Sequence, residues 1–216
     1  MEKIKFLDKI LAEIEAQLTP AYQLKFCPDK GHAIDHIKRM LKIAETIYDP
    51  GKINLFLLKV AIWLHNIDRT TAIPASTPED RQKFIENFLK KLKFSQKEIA
   101  LIVNAVEKHN QLNDTSDSAL LRYPKDCDRL DIGAMGIVRA VIWWQNQNIP
   151  ISAPEDFLLS KPELTKIENI ISLLSGFNYL CEWEGMIRVP KAKALGRKKF
   201  AFMKKFRDQL IEELTL

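Results

Sequence analysis

The chain has 216 residues, of which 33 are basic and 28 acidic, giving a net charge of +5; 46% are hydrophobic and 28% charged. That balance belongs to a folded globular chain and excludes a disordered or collagen-like one, and no uncharged apolar run reaches the roughly 18 residues a transmembrane helix needs. Three widely spaced cysteines (Cys27, Cys127, Cys181) suit a reducing cytoplasm and form neither a disulfide framework nor a CxxC site. The segment Met1 to Gln17 mixes acids among its lysines, unlike a secretory signal.

The chain reads as all-α, with no credible alternating strand. Phe6, Ile10, Ile14 and Leu18 mark a first amphipathic helix, which Thr19-Pro20 is expected to close. A second helix is expected to begin near Asp29 to His32, with Ile34, Ile37, Leu41 and Ala44 as one stripe and Asp49-Pro50-Gly51 as its break. The third, about Asn54 to Leu64, is apolar on most faces and so predicts a central, buried helix.

Thr70 to Pro78 reads as a loop, followed by a helix start at Thr77-Pro78-Glu79-Asp80. Ser95 and Glu98 form a capping box for a helix reaching His109. After a polar loop, Asn110 to Ser118, the next expected helix is Asp131 to Gln147, with Ile132, Met135, Val138 and Ile142 as its face. A proline-rich connector, Ile149 to Pro162, leads to two last helices, about Glu163 to Trp183 and Lys191 to Glu213. Adjacent Trp143 and Trp144 cannot both face the core. Gly185 and Gly196 read as turn or close-packing positions. Nothing demands a second domain: a core of about 25–145 with C-terminal helices of about 163–214 is expected.

Basic residues gather late, at Lys191, Lys193, Arg197, Lys198, Lys199, Lys204, Lys205 and Arg207. The plain reading is a solvated helix face; a phosphate-binding or nucleic-acid face is the alternative. The modest net charge speaks against a dedicated nucleic-acid binder.

Chemistry is concentrated in the four histidines. His32 and His36 are four apart and share a helix face. His65 ends the apolar third helix and opens the run His65-Asn66-Ile67-Asp68-Arg69. His109 ends the fifth. A core helix that delivers an imidazole, an amide, a carboxylate and a guanidinium at its end pins a site rigidly. In Lys125 to Asp131, three carboxylates (Asp126, Asp128, Asp131) lead toward Gly133-Ala134-Met135-Gly136. They read either as helix-start acids or, for Asp128 and Asp131, as an inward pair. Histidine nitrogens with carboxylate oxygens suit a divalent ion, which activates water and clamps phosphoryl oxygens.

These segments resemble the HD superfamily of metal-dependent phosphohydrolases. Gly31 to Met40 is similar to its first-ligand segment, and Leu64-His65-Asn66-Ile67 to its histidine–aspartate doublet. Asp128 to Arg139 is similar to the segment carrying its last ligand, in a small bacterial subgroup of uncharacterised HD hydrolases. Lys108-His109-Asn110 matches another histidine of that subgroup, and Ala194-Leu195-Gly196-Arg197 with Phe202 to Phe206 its closing helix. The likeness spans about residues 25 to 210 and implies an all-α bundle around one metal centre.

The resemblance implies metal ligands at His36, His65, Asn66 and Asp128 for a divalent ion (Mn, Ni, Zn, Fe or Mg). Asn66 stands where the family keeps an aspartate, so the set offers one negative charge where the usual set offers two. Asp68, at i+3 from His65, either compensates for this as a catalytic acid or is a surface acid paired to Arg69 or Arg39. His32 and His109 read as catalytic, outer-sphere or phosphate-contacting groups, with His32 alternatively capping its helix. Arg39, Arg129 and Arg139 read as substrate-binding, with an Arg129–Asp131 ion pair as the alternative.

Two functions follow. One is a cytoplasmic phosphohydrolase acting on a small phosphorylated molecule, possessing the option of a homo-oligomeric state. The other is a degenerate HD fold kept for binding or regulation. Retention of the histidines, Asp128 and Arg139 favours the first; Asn66 favours the second. Neither requires a membrane or a nucleic acid.

Overall fold

The computed structural model describes residues 2–23, 27, 29–70, 77–145, 148–157 and 170–215. Among them there are nine α-helices and no strand, as the sequence predicts. The chain divides into two compact units, Met1–Asp128 and Arg129–Leu216. No helix among the described residues is long and apolar enough to cross a membrane. The three cysteines are buried and free.

The first unit is built on α3 (Leu55–Leu64), which packs against α1 (Glu2–Tyr22), α2 (Ile34–Ile47) and α5 (Gln96–Lys108). Its start is set by Asn54, whose Oδ1 accepts from the Phe56 and Leu57 amides at 2.9 and 3.2 Å. Leu57, Leu58, Val60, Ala61, Ile62, Trp63 and Leu64 are all buried. Each large side chain among them contributes about 1.5–3 kcal/mol, so the helix stands as a fixed post. The α4 helix (Pro78–Lys91) starts at the Thr77 cap, and α5 at the Ser95–Glu98 capping box.

Three expectations are corrected. Thr19-Pro20 does not close α1, which continues to Tyr22. Tyr22 is fully buried and its hydroxyl donates to the Trp63 carbonyl at 2.9 Å, which offsets the one hydrogen bond the proline removes. The second helix opens with a separate 3-10 turn, Lys30–His32, before α2 begins. The largest difference is α6 (Ala119–Leu130), which contains Asp126 and Asp128. These are not first-turn acids of a later helix but belong to the end of this one. Pro124 lies inside it, and burial of Leu121, Tyr123, Cys127 and Leu130 compensates for the proline, while the buried Lys125 is paired with Asp117.

The second unit holds α7 (Ala134–Gln145), α8 (Leu173–Met186) and α9 (Pro190–Leu214), which pack on one another. Gly133, at φ +89°, makes the turn before α7 in a region side-chain-bearing residues disfavour. The α7 helix is shorter than expected and turned the other way. Met135, Val138 and Ile142 are 44%, 48% and 36% exposed, while Gly136, Ala140 and Trp144 face inward. Trp144, packed edge-on to Phe177, anchors this face. Gly196 is buried against Leu130 and Phe200, whereas Gly185 faces open space. The α8 helix starts at Leu173 behind a Ser172 cap; the earlier part of the expected helix from Glu163 lies outside the described residues, as does the side chain of Trp143.

Trp144 sits edge-on to Phe177, and Phe177 edge-on to Phe206. Gly176 supports this stack, since a Cβ there would lie 2.3 Å from a Trp144 ring carbon. Gly176→Ala therefore forces a buried indole to move and is expected to destabilise the protein by about 1–3 kcal/mol. Urea denaturation of the variant beside the native chain measures this, and an unchanged midpoint would contradict it.

Candidate metal centre

All four histidines form one row within the first unit. Ring centroids are 5.3 Å apart for His32 and His36, 5.3 Å for His36 and His65, and 5.1 Å for His65 and His109. His32 closes the 3-10 turn and His36 lies in the first turn of α2. His65 and His109 each follow the last helical residue of α3 and α5.

His65 and His109 are held in the same way. Both keep helical backbone angles at the helix end (φ −62°, ψ −28° and φ −63°, ψ −31°). Each directs Nδ1 at the carbonyl three residues earlier, Ile62 and Val106, at 2.6 Å. A carbonyl can only accept, so Nδ1 carries the proton and Nε2 is left as a lone pair. Burial pushes the basicity of His65 well below the ordinary imidazole value, helped by the neighbouring His109 and His36; burial lowers His109 as well. Among the described residues, His109 Nε2 is buried without a hydrogen-bonding partner.

Asp128, near the end of α6, brings Oδ1 to 3.3 Å from His36 Nε2, which lies 3.2 Å from His65 Nε2. The ligand atoms of His36, His65 and Asp128 all lie within 4.8 Å of one another. Electron-rich atoms gathered this tightly favour a proton or a cation between them. Two imidazoles and a carboxylate are a donor set for a borderline divalent ion, and a carbonyl on the far side of His65 is the support that fixes a ligating ring. The residues therefore fit a divalent ion.

Asn66 is 1% exposed, and its Nδ2 lies 2.7 Å from His65 Nε2. With the His65 proton on Nδ1, the amide donates to the lone pair that a metal would use. An aspartate there has no such proton and would need a cation opposite it.

Two polar networks flank the row. His32 Nδ1 is 2.8 Å from Asp29 Oδ2, and Arg69 reaches the same oxygen at 2.5 Å. Burial alone would raise the Asp29 carboxyl, but its bonds to His32 and Arg69 prevail and hold it at about 2. The α2 helix is capped at Ala33 without a side-chain bond, so His32 is not its cap. Asp68 pairs with Arg81 at 2.8 Å, rather than with Arg69 or Arg39, and stands outside the His36–His65–Asp128 group.

The other arginines are spread out. Arg39 lies one turn after His36 on α2. Arg129 and Arg139 belong to the second unit, where Arg129 donates to the Met186 carbonyl and Arg139 pairs with Asp131 at 2.9 Å. Asp131 thus lies beyond the end of α6, where it is buried and engaged by Arg139. The sequence reading missed Asp29 and Arg69 as partners of His32. Their spacing from His32 and His65 was a usable signal for both; none pointed to Arg81.

No family model and no curated protein matches the chain. Solved structures do. A Lactobacillus plantarum protein matches with a TM-score of 0.72 at 21% identity, over 98% of this chain and 97% of that one. Bacillus subtilis YpgQ in complex with ADP matches with a TM-score of 0.67 at 21% identity, over 99% and 97%. An HD-superfamily hydrolase from Bacillus thuringiensis matches with a TM-score of 0.66 at 19% identity, over 100% and 99%. The chain has the HD-domain fold. In this chain His36, His65 and Asp128 lie together, with Asn66 against His65.

Because the folded His65 and His109 are less basic than in the unfolded chain, the unfolded state takes up protons first on acidification. Their neutral forms favour folding above the ordinary value of 6.5, and that contribution is lost as pH falls below it. The loss amounts to roughly 1.4 kcal/mol per pH unit for each histidine. Asp29 adds a loss at lower pH, between 3.8 and about 2. Urea denaturation of the metal-free protein across the acidic range should show this decline, with a shallower slope in His65→Gln; equal slopes would contradict it.

Proposed function

We propose that this protein is a divalent-metal-dependent phosphohydrolase acting on a phosphate ester or anhydride of a small molecule, with nucleotides as the first substrates to test. The observation that carries this reading is the convergence of His36, His65 and Asp128 beside the unspent lone pair of His109. YpgQ, a protein of the same fold, is in complex with ADP, which supports a phosphorylated ligand.

In this reading His36, His65 and Asp128 hold the ion, and the Asn66 amide oxygen joins them after the amide turns over. A divalent ion so held supplies Lewis acidity, polarising a phosphoryl oxygen and acidifying a water. His109 Nε2 accepts the proton of the attacking water; burial keeps this ring neutral and so able to accept it. His32, oriented by Asp29, contacts a phosphoryl oxygen, and Arg69 and Arg39 supply positive charge. Asp68, paired to Arg81, supports the site from its edge. Among the basic residues of α9, Lys193, Arg197, Lys198 and Lys205 are exposed, whereas Lys199 donates to the Leu130 carbonyl and Lys204 pairs with Glu184.

A second reading is favoured by the Asn66–His65 contact. The amide proton satisfies the buried imidazole without any ion, as a binding or regulatory protein derived from a hydrolase would need.

Calorimetry with Mn, Ni, Zn and Mg on the native chain and on Asn66→Asp separates the two. The hydrolase reading expects about one equivalent of tightly bound metal in the native chain, with affinity raised at least roughly tenfold by Asn66→Asp. The same variant should be less stable without metal, by about 1–3 kcal/mol, because His65 loses its donor. Asp128→Ala should abolish metal binding and any turnover found in a phosphomonoester and nucleotide screen. Metal bound only by Asn66→Asp would overturn the hydrolase reading and leave the second one.

A further inference from the structure

Arg81, on α4, spends its guanidinium on two carboxylates. Its Nε and one terminal nitrogen meet Glu107 Oε1 and Oε2 at 2.8 and 2.5 Å, and its other terminal nitrogen meets Asp68 Oδ2 at 2.8 Å. Glu107 is two residues before His109, and Asp68 three residues after His65. The side chains of Arg81, Asp68 and Glu107 are 21%, 32% and 22% exposed.

Exposed ion pairs as a rule contribute little. This one differs in being bidentate, partly buried and shared between two acids. Each acid also follows or precedes a site histidine by three residues or fewer. The α3 and α5 helices already pack together, but apolar contact is not directional. It sets the spacing of two helices and leaves rotation and sliding of their ends weakly resisted. A guanidinium fork is directional, because both bonds to Glu107 fail when either group turns. The contacts with Glu107 and Asp68 also sustain the positive charge of Arg81, raising its already high basicity.

We propose that Arg81 is a positioning residue for the histidine row, bridging Glu107 and Asp68 so that the ends of α5 and α3 present His109 and His65 in fixed register. The consequence for metal affinity rests on the phosphohydrolase reading; the consequence for the rings does not. With the fork removed, Asp68 and Glu107 lose their shared cation, and the helix ends carry unopposed negative charge on either side of the site.

The first measurement is nitrogen NMR of the imidazole rings in the metal-free protein, for the native chain, Arg81→Met and Arg81→Lys. The native chain should show His65 and His109 each in the single Nδ1–H form. Arg81→Met should show mixed forms at one or both rings while its backbone amide spectrum remains that of the folded protein. Arg81→Lys restores charge without the fork and should recover only part of the native pattern. The second measurement is cobalt(II) binding, with an affinity loss of about 10–100-fold in Arg81→Met and a changed visible spectrum. Native tautomers together with native cobalt affinity and spectrum in Arg81→Met would overturn the proposal. If Arg81→Met fails to fold, Glu107→Gln, which removes the charge but keeps an acceptor, is read in the same way. A native chain that binds no cobalt would defeat the metal reading, and the ring spectra would then decide the role of Arg81 alone.

Discussion

Burying a row of imidazoles is costly unless each proton has an acceptor, and the hydrogen bond from His65 Nδ1 to the Ile62 carbonyl is the constraint on which this site rests. It draws on a carbonyl that the end of α3 leaves without an intrahelical partner, so helix termination and side-chain orientation are one event. It fixes the tautomer, and the tautomer decides that Nε2 faces Asp128, His36 and Asn66. The same device at Val106 and His109 aims a second lone pair into the same region.

Asn66 changes the electrostatics of that region without changing its shape. A carboxylate at this buried position would repel Asp128 and leave His65 Nε2 without a proton to accept. The amide removes both penalties and leaves a centre that is self-satisfied when empty. The HD fold around it is intact, and so are the other donors. An amide rather than a carboxylate at this one residue therefore favours stability without a cation over affinity for one.

Most of the fold was legible because its helices announce themselves by caps and by apolar stripes. Asn54, Thr77 and Ser95 all cap where their residue types suggest. The α6 helix was hidden because Pro124 reads as a break and its acids read as helix-start signals; tertiary burial of Cys127 and Leu130 overrides both. The inward face of α7 was hidden because Gly136 and Ala140 bury little area and Trp144 anchors it. At the site, His36, His65 and Asp128 were legible through their resemblance to a known pattern. Arg81 was not, because an arginine on an amphipathic helix has the same signature whether it faces water or bridges two acids.

The histidine row is also assembled from distant stretches of chain. His36, His65, His109 and Asp128 arrive on α2, α3, α5 and α6, so no hairpin of adjacent helices contains it. His65 and His109 each need their helix to have ended, and α2 and α5 must have docked on α3. Loop closure over such separations carries an entropic cost that only late, cooperative packing recovers. The centre therefore comes into being with the completion of the first unit, and a nascent chain released before α6 holds all four imidazoles but lacks Asp128, the carboxylate of the trio.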